Sequence, residues 1–132
     1  MPQPPHNAWA VRGGAVRDAL ILRGLVLEAV EDGDGPVLSI FCAAASTGEA
    51  SHETLRRICE DADIPHGQVQ VSSVGRLVEA GFEVKLAVDD GESELHHHVL
   101  FALPVTESQV QAFIDCFGQA VPNPTGGKRR KR

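Results

Sequence analysis

The sequence predicts an α+β fold: a mostly antiparallel sheet of four to five strands with two amphipathic helices packed on one face. Asp-Gly pairs separate apolar runs near residues 32–36 and 90–91, which is typical of β-hairpins. Two segments, after Ser51 and after Thr106, place apolar residues at helical spacing. Packing both helices on one face of the sheet buries every apolar stripe that the chain contains.

The chain has 132 residues, which is the size of one domain with a sufficient core. Residues 1–14 are rich in proline and glycine and predict a flexible lead-in. Residues 122–132 predict a disordered basic tail, so the folded domain is expected over 15–121.

The first predicted hairpin joins the apolar runs 19–30 and 37–45 through Asp32-Gly33-Asp34-Gly35-Pro36. Residues 16–31 also fit a helix, and this alternative stays open because both periods match. In that helix the charged residues fall on one side: Arg17, Asp18, Glu28 and Glu31.

A helix is predicted from Ser51, which can cap it, to Pro65, which cannot continue it. Its apolar face consists of Leu55, Ile58, Cys59 and Ala62. Residues 68–81 carry conflicting signals, since Val69 and Val71 alternate as in a strand whereas Ser73 to Gly81 resembles a short capped helix. Strand is the favoured interpretation.

The second hairpin is predicted from the alternation over 82–88, a turn at Asp90-Gly91 and a return strand over 95–103. Thr106 and Gln109 then form a capping box that opens a second helix. The buried stripe of this helix consists of Val110, Phe113, Ile114 and Phe117.

Three consecutive histidines, His96, His97 and His98, lie in the return strand. Strand alternation directs His97 toward the helices and leaves His96 and His98 on the opposite, polar face. A two-residue turn at Asp90-Gly91 would place Glu83 opposite His98 and Lys85 opposite His96.

Two imidazoles with one carboxylate, from Glu83 or Glu94, are a minimal ligand set for a divalent transition metal. A lysine in the same patch disfavours a bound cation, so we expect no cofactor and interpret His96, His98, Glu83 and Glu94 as a contact surface. Metal binding by the pair stays the alternative.

The charge is strongly segregated. Residues 1–127 contain 7 basic and 18 acidic side chains, a net charge of −11, whereas the last five residues are all basic: Lys128, Arg129, Arg130, Lys131 and Arg132. An acidic body lacks the basic side chains whose contacts with phosphates drive nucleic-acid affinity. Nucleic acid is therefore expected to bind only weakly, through the tail. The tail could also contact an acidic partner. The body suits a basic partner.

The sequence contains no catalytic signature, no nucleotide-binding glycine motif and no apolar run of the roughly 20 residues that cross a bilayer. Its three cysteines are far apart and each has apolar neighbours, which favours reduced core thiols. The N-terminus lacks the features of a signal peptide, so cytoplasmic residence is expected.

These observations predict a small non-enzymatic binding or regulatory module that engages a partner protein through its acidic body and an exposed sheet face. A narrower form of this hypothesis is an inhibitor or immunity-type protein that neutralises a basic partner. Self-association as a homodimer is a second form. The alternative function is a metal-binding sensor or metal-dependent enzyme centred on His96 and His98.

Overall fold

The α+β class is confirmed in the computed structural model, which describes residues 4–87 and 94–126. The described part contains a six-stranded antiparallel sheet and four helices, more elements than expected. In chain order they are β1 (Trp9–Gly13), α1 (Ala19–Glu31), β2 (Val37–Ala43), α2 (Ser51–Asp61), β3 (Gln68–Ser73), α3 (Val74–Glu79), β4 (Glu83–Leu86), β5 (His96–Leu100), α4 (Glu107–Asp115) and β6 (Val121–Pro122). The strand order is β4-β5-β2-β1-β3-β6.

The N-terminal segment supplies a central strand. Residues 9–13, which the sequence places in the flexible lead-in, form β1 and pair with β2 on one side and β3 on the other. At the other end, β6 pairs with the start of β3, and the buried Asn123 amide donates to the carbonyl of His66 at 2.8 Å. Both segments therefore extend the ordered part beyond 15–121.

Helices cover both faces of the sheet, which corrects the prediction of two helices on one face. The larger core lies beneath α1, α3 and α4 and includes Leu22, Val26, Ile40, Val99 and Phe113. The second core lies beneath α2 and includes Val11, Ile58, Cys59, Ile64 and Val69. Both faces need cover because neighbouring residues of β1, Ala10 and Val11, are apolar and point in opposite directions.

The strand favoured for the apolar run 19–30 was wrong, because this segment forms α1, in agreement with the helix left open over residues 16–31. The Asp18 carboxylate caps the helix by accepting bonds from the backbone N–H of Leu20 at 2.9 Å and Ile21 at 3.1 Å. Gly33, with φ 90°, ends it in a Schellman motif in which its own N–H donates to Val30 and the next N–H donates to Ala29. The Asp-Gly pair is therefore a helix terminus. It resembles a hairpin turn because both structures require a residue with positive φ.

The conflicting signals over 68–81 both describe real structure. Residues 68–73 form β3, as favoured, and the chain then turns directly into α3, whose cap is the Ser73 hydroxyl accepting from the N–H of Arg76 at 3.2 Å. The signals are successive along the chain, so neither excludes the other.

The helix caps differ from the predictions in detail. Ala50, not Ser51, is the N-cap residue of α2, and the Glu53 carboxylate accepts from the Ala50 N–H at 2.8 Å. Thr106 caps α4 as predicted, accepting from the N–H of Gln109 at 3.2 Å. Over the residues described, no helix is long and apolar enough to cross a membrane.

Candidate functional site

The side of α1 that faces solvent is apolar. Ala19, Leu22 and Val26 form its inner side and pack into the larger core. Four large side chains on the other side are 38–64 % exposed: Leu20, Ile21, Leu25 and Leu27. We call these four residues, together with Gly24, the outer face of α1. Contiguous exposed apolar patches larger than a few hundred Å² mark interaction sites, whereas single exposed apolar side chains are ordinary.

Gly24 lies in the middle of this outer face. A Cβ added at this position would meet no atom within 4 Å, so nothing in the chain requires the glycine. A glycine in a helix interior destabilises the helix by about 1 kcal/mol relative to alanine. The residue therefore leaves the helix backbone open to close approach from outside.

Polar side chains of the interior strands β1 and β3 hold the N-terminal end of α1 in place. The fully buried Gln70 and the buried Arg12 both donate to the carbonyl of Val16, at 3.3 Å and 3.0 Å. Arg17 donates to the carbonyl of Phe117 at 2.9 Å, next to α4. These bonds fix the loop that leads into α1, so the helix presents its outer face in a defined position.

Arg12 is a buried cation that packs against aromatic rings. Its guanidinium carbon lies 5.6 Å from the ring centroid of Phe113 and 6.0 Å from that of Phe117. Burial, and then the charge of Arg17, lowers the pKa of Arg12 to about 10, so the guanidinium stays charged at neutral pH. Its role is to join β1 to α4 beneath the loop before α1.

The C-terminal end of α1 is acidic. Four exposed carboxylates lie there, Glu28, Glu31, Asp32 and Asp34, and none of the ion pairs in the described ranges involves them. The last turn contains no basic residue. Because the C-terminus of a helix carries a partial negative charge, carboxylates at this end are electrostatically unfavourable.

His97 is buried, as predicted, and pairs with Ile40 of the larger core. Its Nδ1 lies 2.7 Å from the carbonyl oxygen of Leu95, which can only accept, so Nδ1 carries the proton. Burial lowers the pKa of His97, and the charge of His98 lowers it further, while this hydrogen bond raises it. The imidazole is therefore neutral at physiological pH.

His96 and His98 lie on the opposite face, but His96 is buried rather than solvent-facing. Its ring lies 5.5 Å from that of Phe41 and meets the ring of His98 edge-on at 5.1 Å. Its Nε2 lies 2.9 Å from the Ser39 hydroxyl oxygen. The burial follows from strand β2, which places Phe41 directly opposite His96.

The predicted register of the last hairpin was wrong by two residues. Lys85, not Glu83, pairs with His98, while Glu83 pairs with Leu100 and contacts the Lys85 ammonium at 3.5 Å. The described part of the ladder extends to the bond from the Ala87 N–H to the His96 carbonyl at 2.9 Å. The predicted Asp90-Gly91 turn lies outside the described residues.

The proposed metal ligands are therefore not brought together as expected. Glu94 is exposed, and no group of three or more His, Cys, Asp and Glu side chains within residues 4–87 and 94–126 is arranged to hold a metal ion. The tail residues Lys128 to Arg132 lie outside the described residues.

Two shallow cavities and the cysteines offer little chemistry. One cavity of about 310 Å³ is lined by Trp9, Val71 and Arg76, and another of about 410 Å³ lies between the end of α3 and the start of α4. The cysteines are free and buried, as predicted. Burial raises the pKa of Cys42 to about 12, so this thiol is inert.

The outer face of α1 was not predicted from the sequence. Its signal was the near-continuous apolar run over 19–30, which is too wide for the single buried stripe of a surface helix. As a strand, this run would have been buried on both faces. As a helix, it leaves apolar side chains without cover. No protein-family model, curated protein or solved structure matches this chain.

Proposed function

We propose that this chain is a non-enzymatic binding module that engages a partner protein through the outer face of α1. The exposure of four large apolar side chains on one well-anchored helix carries the proposal. Burying them would remove unfavourable apolar surface from water at roughly 25 cal/mol per Å². A catalytic role has no comparable support among the described side chains.

The outer face of α1 replaces the exposed sheet face as the proposed contact surface. The sheet surface left open beside α2 displays the polar side chains of Glu83, Lys85 and His98. Such a surface is well solvated without a partner, whereas the leucines of α1 are not. The apolar helix is therefore the stronger candidate.

Site-specific photocrosslinking tests this proposal. A photoreactive residue placed at Leu25 should capture a partner in the cells that make the chain, and one placed at Leu103 should not. Leu103 is a matched control because it is 65 % exposed and lies outside α1, in the loop between β5 and α4. The captured protein must then form a complex with the intact chain when both are pure.

Hydrogen exchange on the pure complex should show added protection over residues 19–31 and none over 51–61. The double variant Leu20→Ser and Leu25→Ser should keep its thermal stability and lose the complex, because neither side chain is needed for the core. Protection confined to another element, or a complex that survives the double substitution, would contradict the proposal.

A further inference from the structure

We infer that the segment bound by α1 is an amphipathic helix with a cationic polar side, and this inference rests on the proposed function. Three features of α1 carry it: the exposed apolar side chains, the open backbone at Gly24, and the acidic end at residues 28–34. The exposed apolar side chains and the acidic end are unfavourable in the isolated chain, and a partner of this kind relieves both, while Gly24 leaves room for its close approach.

The form of the partner follows from the backbone of α1. The N–H and C=O groups of a helix interior bond to each other, so a partner cannot add to them as a strand adds to a sheet edge. Contact must therefore be made by side chains. A helix with apolar residues at i, i+3, i+4 and i+7 matches the length of α1, 13 residues, and packs closest where Gly24 leaves room.

The charge of the partner follows from the acidic end of α1. Glu28 and Glu31 lie on the helix itself, Asp32 and Asp34 follow directly, and none of them takes part in an ion pair within the described residues. Lysine or arginine side chains from a partner would compensate both these carboxylates and the negative helix terminus. Anionic surfaces, such as nucleic acid or acidic lipid, would be repelled.

A second copy of the chain fits this site less well. Two copies, each with a net charge of −6, would repel each other, and the arginines nearest α1, Arg17 and Arg23, already donate to carbonyls of their own chain. Like charges in an interface disfavour association. A cationic helix supplies the same apolar contacts without this repulsion.

Fluorescence anisotropy with two synthetic peptides tests the inference. The cationic probe is a helix of about 18 residues with leucines along one side and lysines elsewhere, and the anionic probe carries glutamates in place of the lysines. The intact chain should bind the cationic probe at least about tenfold more tightly at low salt, and the difference should shrink as salt screens the charges.

Matched variants locate the binding. The double variant Leu20→Ser with Leu25→Ser should bind the cationic probe about tenfold or more less tightly. The double variant Glu28→Gln with Glu31→Gln should lose a similar amount of affinity. The controls are Leu103→Ser and the pair Glu79→Gln with Glu107→Gln, which change an equally exposed leucine and two exposed carboxylates elsewhere. The controls should bind as the unmodified chain does, and circular dichroism should show all variants folded.

The outcomes separate the inference from the proposed function. If both probes bind α1 equally, the inference is overturned and the proposed function stands. If the cationic probe binds with an affinity that the Leu20 and Leu25 substitutions do not change, it binds elsewhere on the acidic body and the inference is overturned. If sedimentation shows a dimer that those changes abolish, the occupant is a second copy, which overturns the inference and keeps the proposed function. If neither probe binds, the inference is overturned, and the photocrosslinking experiment decides the proposed function separately.

Discussion

Alanine substitutions at Gly24 and Gly33 should change stability in opposite directions, although both glycines have open space around them. An added Cβ meets no atom within 4 Å at either position, so steric clash cannot explain any difference. Gly24 lies inside α1, whereas Gly33 has φ 90° in the turn that ends it. The comparison therefore isolates backbone conformation.

The magnitudes follow from these conformations. Gly24→Ala removes the glycine penalty of a helix interior and should raise the free energy of unfolding by about 1 kcal/mol. Gly33→Ala forces a side chain into a left-handed conformation and should lower it by about 1–2 kcal/mol. For a domain of this size, 1 kcal/mol corresponds to a shift in Tm of roughly 3–5 °C.

Urea unfolding, followed by circular dichroism, measures both changes. With a urea dependence of about 2 kcal/mol per molar, the midpoint should rise by about 0.5 M for Gly24→Ala and fall by at least as much for Gly33→Ala. A destabilised Gly24→Ala variant would show that position 24 is packed against something, and the description of the outer face of α1 would be wrong. Equal shifts of the same sign would refute the backbone reasoning.

Three further predictions concern ionisable side chains that are buried or paired. Hydrogen bonds from Arg57 hold the pKa of Glu49 at about 2, below its unfolded value of 4.5. This pair therefore stabilises the fold above about pH 4.5, and the stabilisation is lost as the pH falls toward 2. Glu49→Gln should make the unfolding free energy depend less on pH over this range in an acid-unfolding experiment. Burial lowers the pKa of His97, so the unfolded state takes up its proton first and the stability of the fold decreases below about pH 6.5. The unfolding free energy measured as the pH is lowered should fall less steeply for His97→Leu. An unchanged slope would contradict the placement of His97 in the core. The free energy of unfolding of Arg12→Met in urea should stay within about 1 kcal/mol of that of the unmodified chain, because a buried charge is replaced by an apolar side chain. Arg12→Ala should lower the free energy of unfolding by about 2 kcal/mol or more, because it leaves a cavity beside Phe113. A large loss in both Arg12 variants would show that the charge itself is required.

Local chemistry allowed several elements to be predicted. The alternation over β4 and the Thr106 cap of α4 are set by neighbours within a few residues, and both agree with the structure. The placement of His97 in the core follows from the same alternation. Such features depend on the chain's own periodicity and need no knowledge of distant contacts.

The errors arose where distant contacts decide. Residues 19–30 are apolar enough for a buried strand, and the Asp-Gly pair that follows fits a hairpin as well as a helix terminus, so the packing of Leu22 and Val26 into the larger core distinguishes the two. Residues 9–13 carry little strand signal of their own, yet they are held between β2 and β3. The outer face of α1 could not be found while the segment was interpreted as a strand.

The central position of β1 has a consequence for biosynthesis. This strand leaves the ribosome before either neighbour, since β2 follows at residues 37–43 and β3 only at residues 68–73. Both of its hydrogen-bonding edges stay open during that interval, and α4, which seals the core above it, is made later still. Pairing between residues so far apart in the chain is slow. We therefore expect the sheet around β1 to be completed only after most of the chain has been synthesised.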